Sequence, residues 1–129
     1  KKNRRFPTVF LHDIGWPYGR RDLYYNPGDI PRKFRKPYAK KGIARGQSAL
    51  IDPDDNEENL KLINPTMNNA LYENGKQNGV LTAVEDFLKE TGFRISFHRV
   101  NHQFGLGILL PRRAKRDRVI RNIMQKANL

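Results

Sequence analysis

An α/β fold, with a strand, helix, strand unit and an added antiparallel hairpin strand, is predicted by three features of the sequence. Thr8, Val9, Phe10 and Leu11 form a short apolar, β-branched and aromatic run that suits a strand buried on both faces of a sheet. Val80, Leu81, Val84, Phe87 and Leu88 recur at helical spacing and make one apolar stripe, the mark of an amphipathic helix. Phe93, Ile95 and Phe97 alternate with Arg94, Ser96 and His98, and the glycine-punctuated apolar run 104–110 follows after a polar turn, which reads as a hairpin.

In chain order, 1–5 is a basic lead-in, and Pro7 suits the first position of a strand because its missing N–H falls there. Residues 26–77 read as a long loop or insertion. Its first part is broken by Pro27, Gly28, Pro31, Pro37, Gly42 and Gly46 and carries Arg32, Lys33, Arg35, Lys36, Lys40, Lys41 and Arg45, and long loops in folded domains tend to be functional or disordered. Phe34 and Tyr38 have two readings, as stacking partners for nucleic-acid bases or as anchors that pin the loop. Residues 48–51 read as a brief extended piece. The acidic stretch 52–58 lacks the ligand spacing of an EF-hand and reads as a solvated turn. Leu60, Leu62 and Ile63 read as a short strand or a tacked loop, and 65–74 as a short helix with Met67, Ala70 and Leu71 on one face.

The central helix is expected over 79–91, with Asn78 capping its start and Gly92 ending it in a left-handed conformation. Glu85 and Asp86 fall on its polar face. Strands joined through a helix run parallel with a right-handed crossover, so 7–12 is predicted to run parallel to 93–100 and antiparallel to 104–110, with the latter able to lie between them. Pro111 suits the first turn of a final helix over 112–129. That helix has a narrow apolar stripe of Val119, Ile120, Ile123, Met124 and Ala127. Arginines and Lys115 crowd its first half, against the helix dipole.

At 129 residues the chain is one domain's worth, with room for a modest core. It has no apolar run near the ~20 residues that span a bilayer, and its basic start leads into too short an apolar run for a signal peptide. No cysteine is present, which excludes disulfides and thiolate metal sites and fits a cytoplasmic protein. The net charge of +12 is segregated into +10 over 1–50, −6 over 51–91 and +8 over 92–129. A basic surface attracts nucleic acid, anionic lipid or phosphorylated small molecules alike, so charge alone does not choose among them.

The chemistry concentrates in HDIGWPYGRRDLYY. His12 and Asp13 follow directly on the first strand, where ligands sit in open α/β sheets. They can serve as a general base and a metal ligand, or as a structural histidine and a turn cap. Arg20 and Arg21 can clamp a carboxylate or phosphate, or hold Asp22 in a salt bridge. Trp16, Tyr18, Tyr24 and Tyr25 can stack on a sugar ring or adenine, or form a local core. His98 and His102 straddle a strand and a turn, which gives no helical metal-ligand geometry, and both read as structural.

FPTVFLHDIGWPYGRRDLYYNPGDIP, followed by NGVLTAVEDFL and FGLGILLP, resembles the carboxyl-terminal half of a group of bacterial class I S-adenosylmethionine-dependent methyltransferases associated with sugar or polysaccharide modification. The match runs in order from Phe6 to Pro111, and WPYGRRDLYY is its most specific part. The resemblance implies the closing part of a Rossmann-like sheet, S-adenosylmethionine as cofactor, and O-methylation of a sugar or related small acceptor. It makes His12 and Asp13 catalytic candidates, with Asp13 a ligand to Mg2+, and gives Trp16, Tyr18, Arg20, Arg21 and Tyr24 to the acceptor. The family's glycine-rich cofactor turn belongs to an amino-terminal half with no counterpart here, so the resemblance implies a partner domain and no full catalysis by this part alone. Two other classes stand beside it: a stand-alone basic module for nucleic acid or another polyanion, and a non-catalytic assembly domain.

Overall fold

The computed structural model describes residues 6–129, so the basic lead-in lies outside the described residues. Strand β1 (Val9–His12), β5 (Ile95–Val100) and β6 (Leu106–Pro111) form one sheet in the order β1-β6-β5. Both pairings are antiparallel, with Phe10 opposite Ile108 and Ile108 opposite His98. Thus β1 and β5 share a direction, and β6 lies between them, as expected from the crossover through a helix. That helix, α1 (Val80–Glu90), buries Leu81 and Val84 of the predicted stripe and also Thr82, which the spacing puts on the polar side, while Phe87 of the stripe is 39% exposed. A second helix, α2 (Ala114–Lys126), follows β6.

The first strand departs from expectation. The side chains of β1 alternate between half-buried and exposed, and Phe10 is 66% exposed. Among the described residues only β6 flanks this strand, so its apolar run belongs to a sheet edge rather than to a covered central strand. Edges of this kind offer unpaired backbone groups to another chain or segment.

The region 26–77 is built rather than looped. Strand β2 (Leu23–Tyr24) leads into it, and β3 (Tyr38–Lys40) and β4 (Asn68–Ala70) complete a second antiparallel sheet in the order β2-β4-β3. Single bridges join Gly42 to Ile51, Ile43 to Ile63 and Ala49 to Tyr72, which extends the predicted short pieces around 48–51 and 60–63 into a layer over Ile43. The helix expected over 65–74 is β4 instead. Asn69 is fully buried there and donates to the carbonyls of Lys41 and Asn64 at 2.8 and 2.9 Å, bonds that tie it to distant chain and override local periodicity.

The caps of α1 also differ. Gly79 is the N-cap at φ 89°, and its N–H donates to Asp22 Oδ1 at 2.7 Å. A Cβ at Gly79 would meet Arg20 backbone at 2.5 Å, so both the left-handed backbone and the close approach demand glycine. Asn78, buried beside it, accepts from the Asp22 N–H and donates to the carbonyls of Tyr72 and Asn74. At the other end Thr91 closes the helix in an extended conformation, and Gly92 is not left-handed. The core gathers Ile14, Ile43, Ala44 and Ala70 with Leu81, Val84, Val100, Leu109 and Leu110. Among the described residues no helix is long and apolar enough to cross a membrane.

Candidate functional site

The turn after β1 joins both sheets to α1. Asp13 sits at φ 61°, a left-handed conformation that a short polar side chain tolerates. Its Oδ1 lies 3.0 Å from His12 Nδ1, and the His12 side chain is 73% exposed. Gly15 N–H donates to Phe104 O at 2.7 Å, which sets the turn against the β5–β6 hairpin. Gly105, at φ 82°, permits that contact, since a Cβ there would stand 2.4 Å from Gly15 N.

Trp16 is half-buried, with the Arg45 guanidinium 4.9 Å from its ring centroid. The Trp16–Pro17 peptide is cis. Tyr18 is buried, donates to Asn69 Oδ1 at 3.2 Å and accepts from Asn64 Nδ2 at 2.6 Å. Burial does most to raise its pKa, the Asn64 bond opposes this, and the Asp13 charge raises it further, so the phenol stays protonated at neutral pH.

The two arginines have separate destinations. Arg20 faces α1, where its guanidinium bonds both oxygens of Glu85 at 2.7 Å and Thr82 Oγ1 at 2.9 Å. The Glu85 bond raises the Arg20 pKa, and the Arg20 bond lowers that of Glu85. Arg21 is fully buried and donates to Ala70 O and Ser48 O. Burial lowers its pKa, partly offset by the charge of Glu73. Neither guanidinium pairs with Asp22. That carboxylate accepts from Gly79 N–H and, through Oδ2, from Tyr24 OH at 2.9 Å. Tyr24 is buried and its pKa is pushed up to about 12, chiefly by burial and then by Asp22, against the bond from Lys36 N–H.

A cavity of about 300 Å³ opens at this turn, lined among others by Trp16, Gly19, Arg20, Glu73, Asn74 and Arg99. It lies beyond the carboxyl end of β1 and beside that of β5, which carries Arg99. No protein-family model, curated protein or solved structure matches the chain. The assignment of chemistry therefore rests on this geometry. Among the described residues no group of three or more His, Asp or Glu side chains stands together as a metal cage. Asp13 provides one hard oxygen donor, and Mg2+ commonly takes one or two carboxylates with the rest of its shell from water and substrate.

Of the predicted site residues, His12 and Asp13 meet each other at the end of β1 without lining the cavity, Trp16 and Arg20 line it, and Tyr18, Arg21 and Tyr24 are buried in the packing. Arg99 and Glu73 complete the cavity without having stood out in the sequence. Arg99 had a signal, as a cation on the face of an alternating strand near its carboxyl end. Glu73 had none, because it reaches the site only through the second sheet. His98 is buried, with its Nε2 3.2 Å from Asp117 Oδ1. His102 is exposed in the hairpin turn.

Proposed function

We propose that this chain forms the acceptor side of a class I S-adenosylmethionine-dependent methyltransferase that methylates a hydroxyl of a sugar or related small acceptor. In this reading a Rossmann-like cofactor-binding unit adjoins the free edge of β1. The observation that carries it is the sheet order β1-β6-β5, two co-directional strands joined through α1 with an antiparallel strand inserted between them. That is the closing pattern which the resemblance implies. The exposed β1 edge and Phe10 support it as the surface where the sheet continues.

S-adenosylmethionine, when bound, supplies an electrophilic methyl group on a sulfonium. The acceptor enters the cavity beside Trp16, whose ring gives one wall, with Arg99 and Glu73 offering it one cation and one carboxylate while Arg20 is held by Glu85. Asp13 orients the hydroxyl, directly or as one oxygen ligand of Mg2+, and His12 takes the hydroxyl proton as the oxygen gains the methyl.

The 129 residues titrated alone with S-adenosylmethionine are expected to take up no stoichiometric ligand at micromolar concentration, since no glycine-rich turn follows any strand here. With the cofactor unit present, tritium should pass from the labelled methyl group to a saccharide hydroxyl. Asp13→Asn should lower that turnover by about 100-fold or more with the melting temperature and cofactor affinity unchanged. Turnover per folded molecule preserved in Asp13→Asn, with stability lost, makes Asp13 a turn cap and removes it from the chemistry.

A further inference from the structure

We propose that the arm from Arg32 to Tyr38 is a binding site for a sugar ring bearing a phosphate or carboxylate, an anchoring site for an acidic saccharide apart from the cavity at the turn. The choice of a sugar rests on the methyltransferase reading; the anionic character does not. A cavity of about 390 Å³ lies in this arm, lined by Arg32, Arg35, Lys36, Pro37 and Tyr38. Three cations line it and no carboxylate does. Among the described residues neither these three nor the adjoining Lys33 and Lys40 comes within 4.0 Å of an acidic group. The neighbouring Lys41, by contrast, pairs with Asp52 at 3.2 Å. Arginine forks bind phosphate and carboxylate through paired donors.

The arm is held in place from behind. Lys36 N–H donates to Tyr24 OH at 2.8 Å, Leu71 N–H donates to Pro37 O at 2.8 Å, and the Tyr38 ring meets the Tyr24 ring edge-on with centroids 5.6 Å apart. One side of the cavity is therefore a fixed wall of Pro37 and Tyr38, apolar surfaces of the kind that pack on the C–H face of a pyranose. The cavity volume is that of a small-ligand site, in the range of about 300–1,000 Å³. A nucleic-acid strand would call for successive open aromatic faces along a track. Here Phe34, the most exposed ring of the arm at 62%, has the Lys33 ammonium 4.8 Å from its centroid and does not line the cavity, which leaves Tyr38 as its one aromatic wall.

The test is an amide NMR titration of the 129-residue chain with glucose 6-phosphate, glucuronate, neutral glucose and an oligothymidylate. Saturable shifts centred on 32–38 are expected with the two anionic sugars and none with glucose. Arg32→Gln with Arg35→Gln should weaken both anionic sugars by about tenfold or more, whereas Arg118→Gln on α2 should not. Phosphate and carboxylate are separated by comparing the two anionic sugars. The proposal is overturned if the shifts centre elsewhere, if Arg118→Gln weakens binding as much as the arm variants, or if the oligothymidylate binds more tightly with a steep salt dependence. None of these readouts involves methyl transfer, so absence of transferase activity overturns the functional reading without moving this result.

Discussion

Arg21 holds a full positive charge inside the protein with only carbonyl oxygens as acceptors. Its two terminal nitrogens reach Ala70 O and Ser48 O, 49 and 27 residues away, and Nε has no partner. Arg21→Ala would orphan both carbonyls and leave a void, so a loss of about 2–5 kcal/mol is expected by urea denaturation. Arg21→Lys should recover little, because an ammonium has no fork to span two acceptors. A Lys variant as stable as the parent would show that charge alone suffices there. The motif WPYGRRD marks this region in the sequence, but it cannot say which arginine turns inward. Their partners lie on β4, in the segment before it and on α1, and only the assembled second sheet separates Arg20, bonded to Glu85 65 residues on, from its neighbour.

At the level of elements, α2 is fastened by one buried carboxylate. Asp117 is the sole acid in 92–129 and the sole buried residue of α2, and it accepts from Ser96 Oγ at 2.8 Å and the Arg113 N–H at 3.0 Å while facing His98 Nε2. Burial alone would raise its pKa, but the bonds from Ser96, His98 and Arg113 together lower it below the ordinary carboxylate value. Its stabilising contribution is thus present above the unfolded-state carboxylate pKa and disappears as pH falls through the lowered folded value. Asp117→Asn should fray α2 by far-UV circular dichroism and lower the melting temperature at pH 7. Melting curves of the two proteins should converge toward pH 2, and a constant gap down to that pH would show that the charge is not what fastens the helix. This carboxylate also answers the crowd of cations at the start of α2, which sequence alone left opposed to the dipole. The helices and the β5–β6 hairpin were legible because local periodicity marks them. Strands β2, β3 and β4 were not, since each is two or three residues long and is held by the Asn69 amide and the tyrosines rather than by its own pattern.

Across the whole molecule, apolar surface remains on one side of the first sheet. Phe10 faces the same side as Ile108 and His98, and the α2 side chains Val119 and Ile123 are 51% and 59% exposed. Phe10→Glu should change folding stability by no more than about 0.5 kcal/mol, as for a surface position, yet weaken joining to a cofactor-binding unit, measured by sedimentation. Undiminished joining would place that unit elsewhere. The segregated charge was plain in the sequence, whereas the open edge was not, because an apolar strand reads alike whether covered or awaiting cover. The chain of bonds from Gly79 N–H to Asp22, from Tyr24 OH to Asp22 and from Lys36 N–H to Tyr24 OH runs from the first turn of α1 to the basic arm. Docking of α1 and setting of the arm thus share the Asp22–Tyr24 pair. The entropy lost in fixing that backbone, about 1–2 kcal/mol for each residue, belongs to folding, and an incoming anion meets a stiff bracket instead of a tether it must first still.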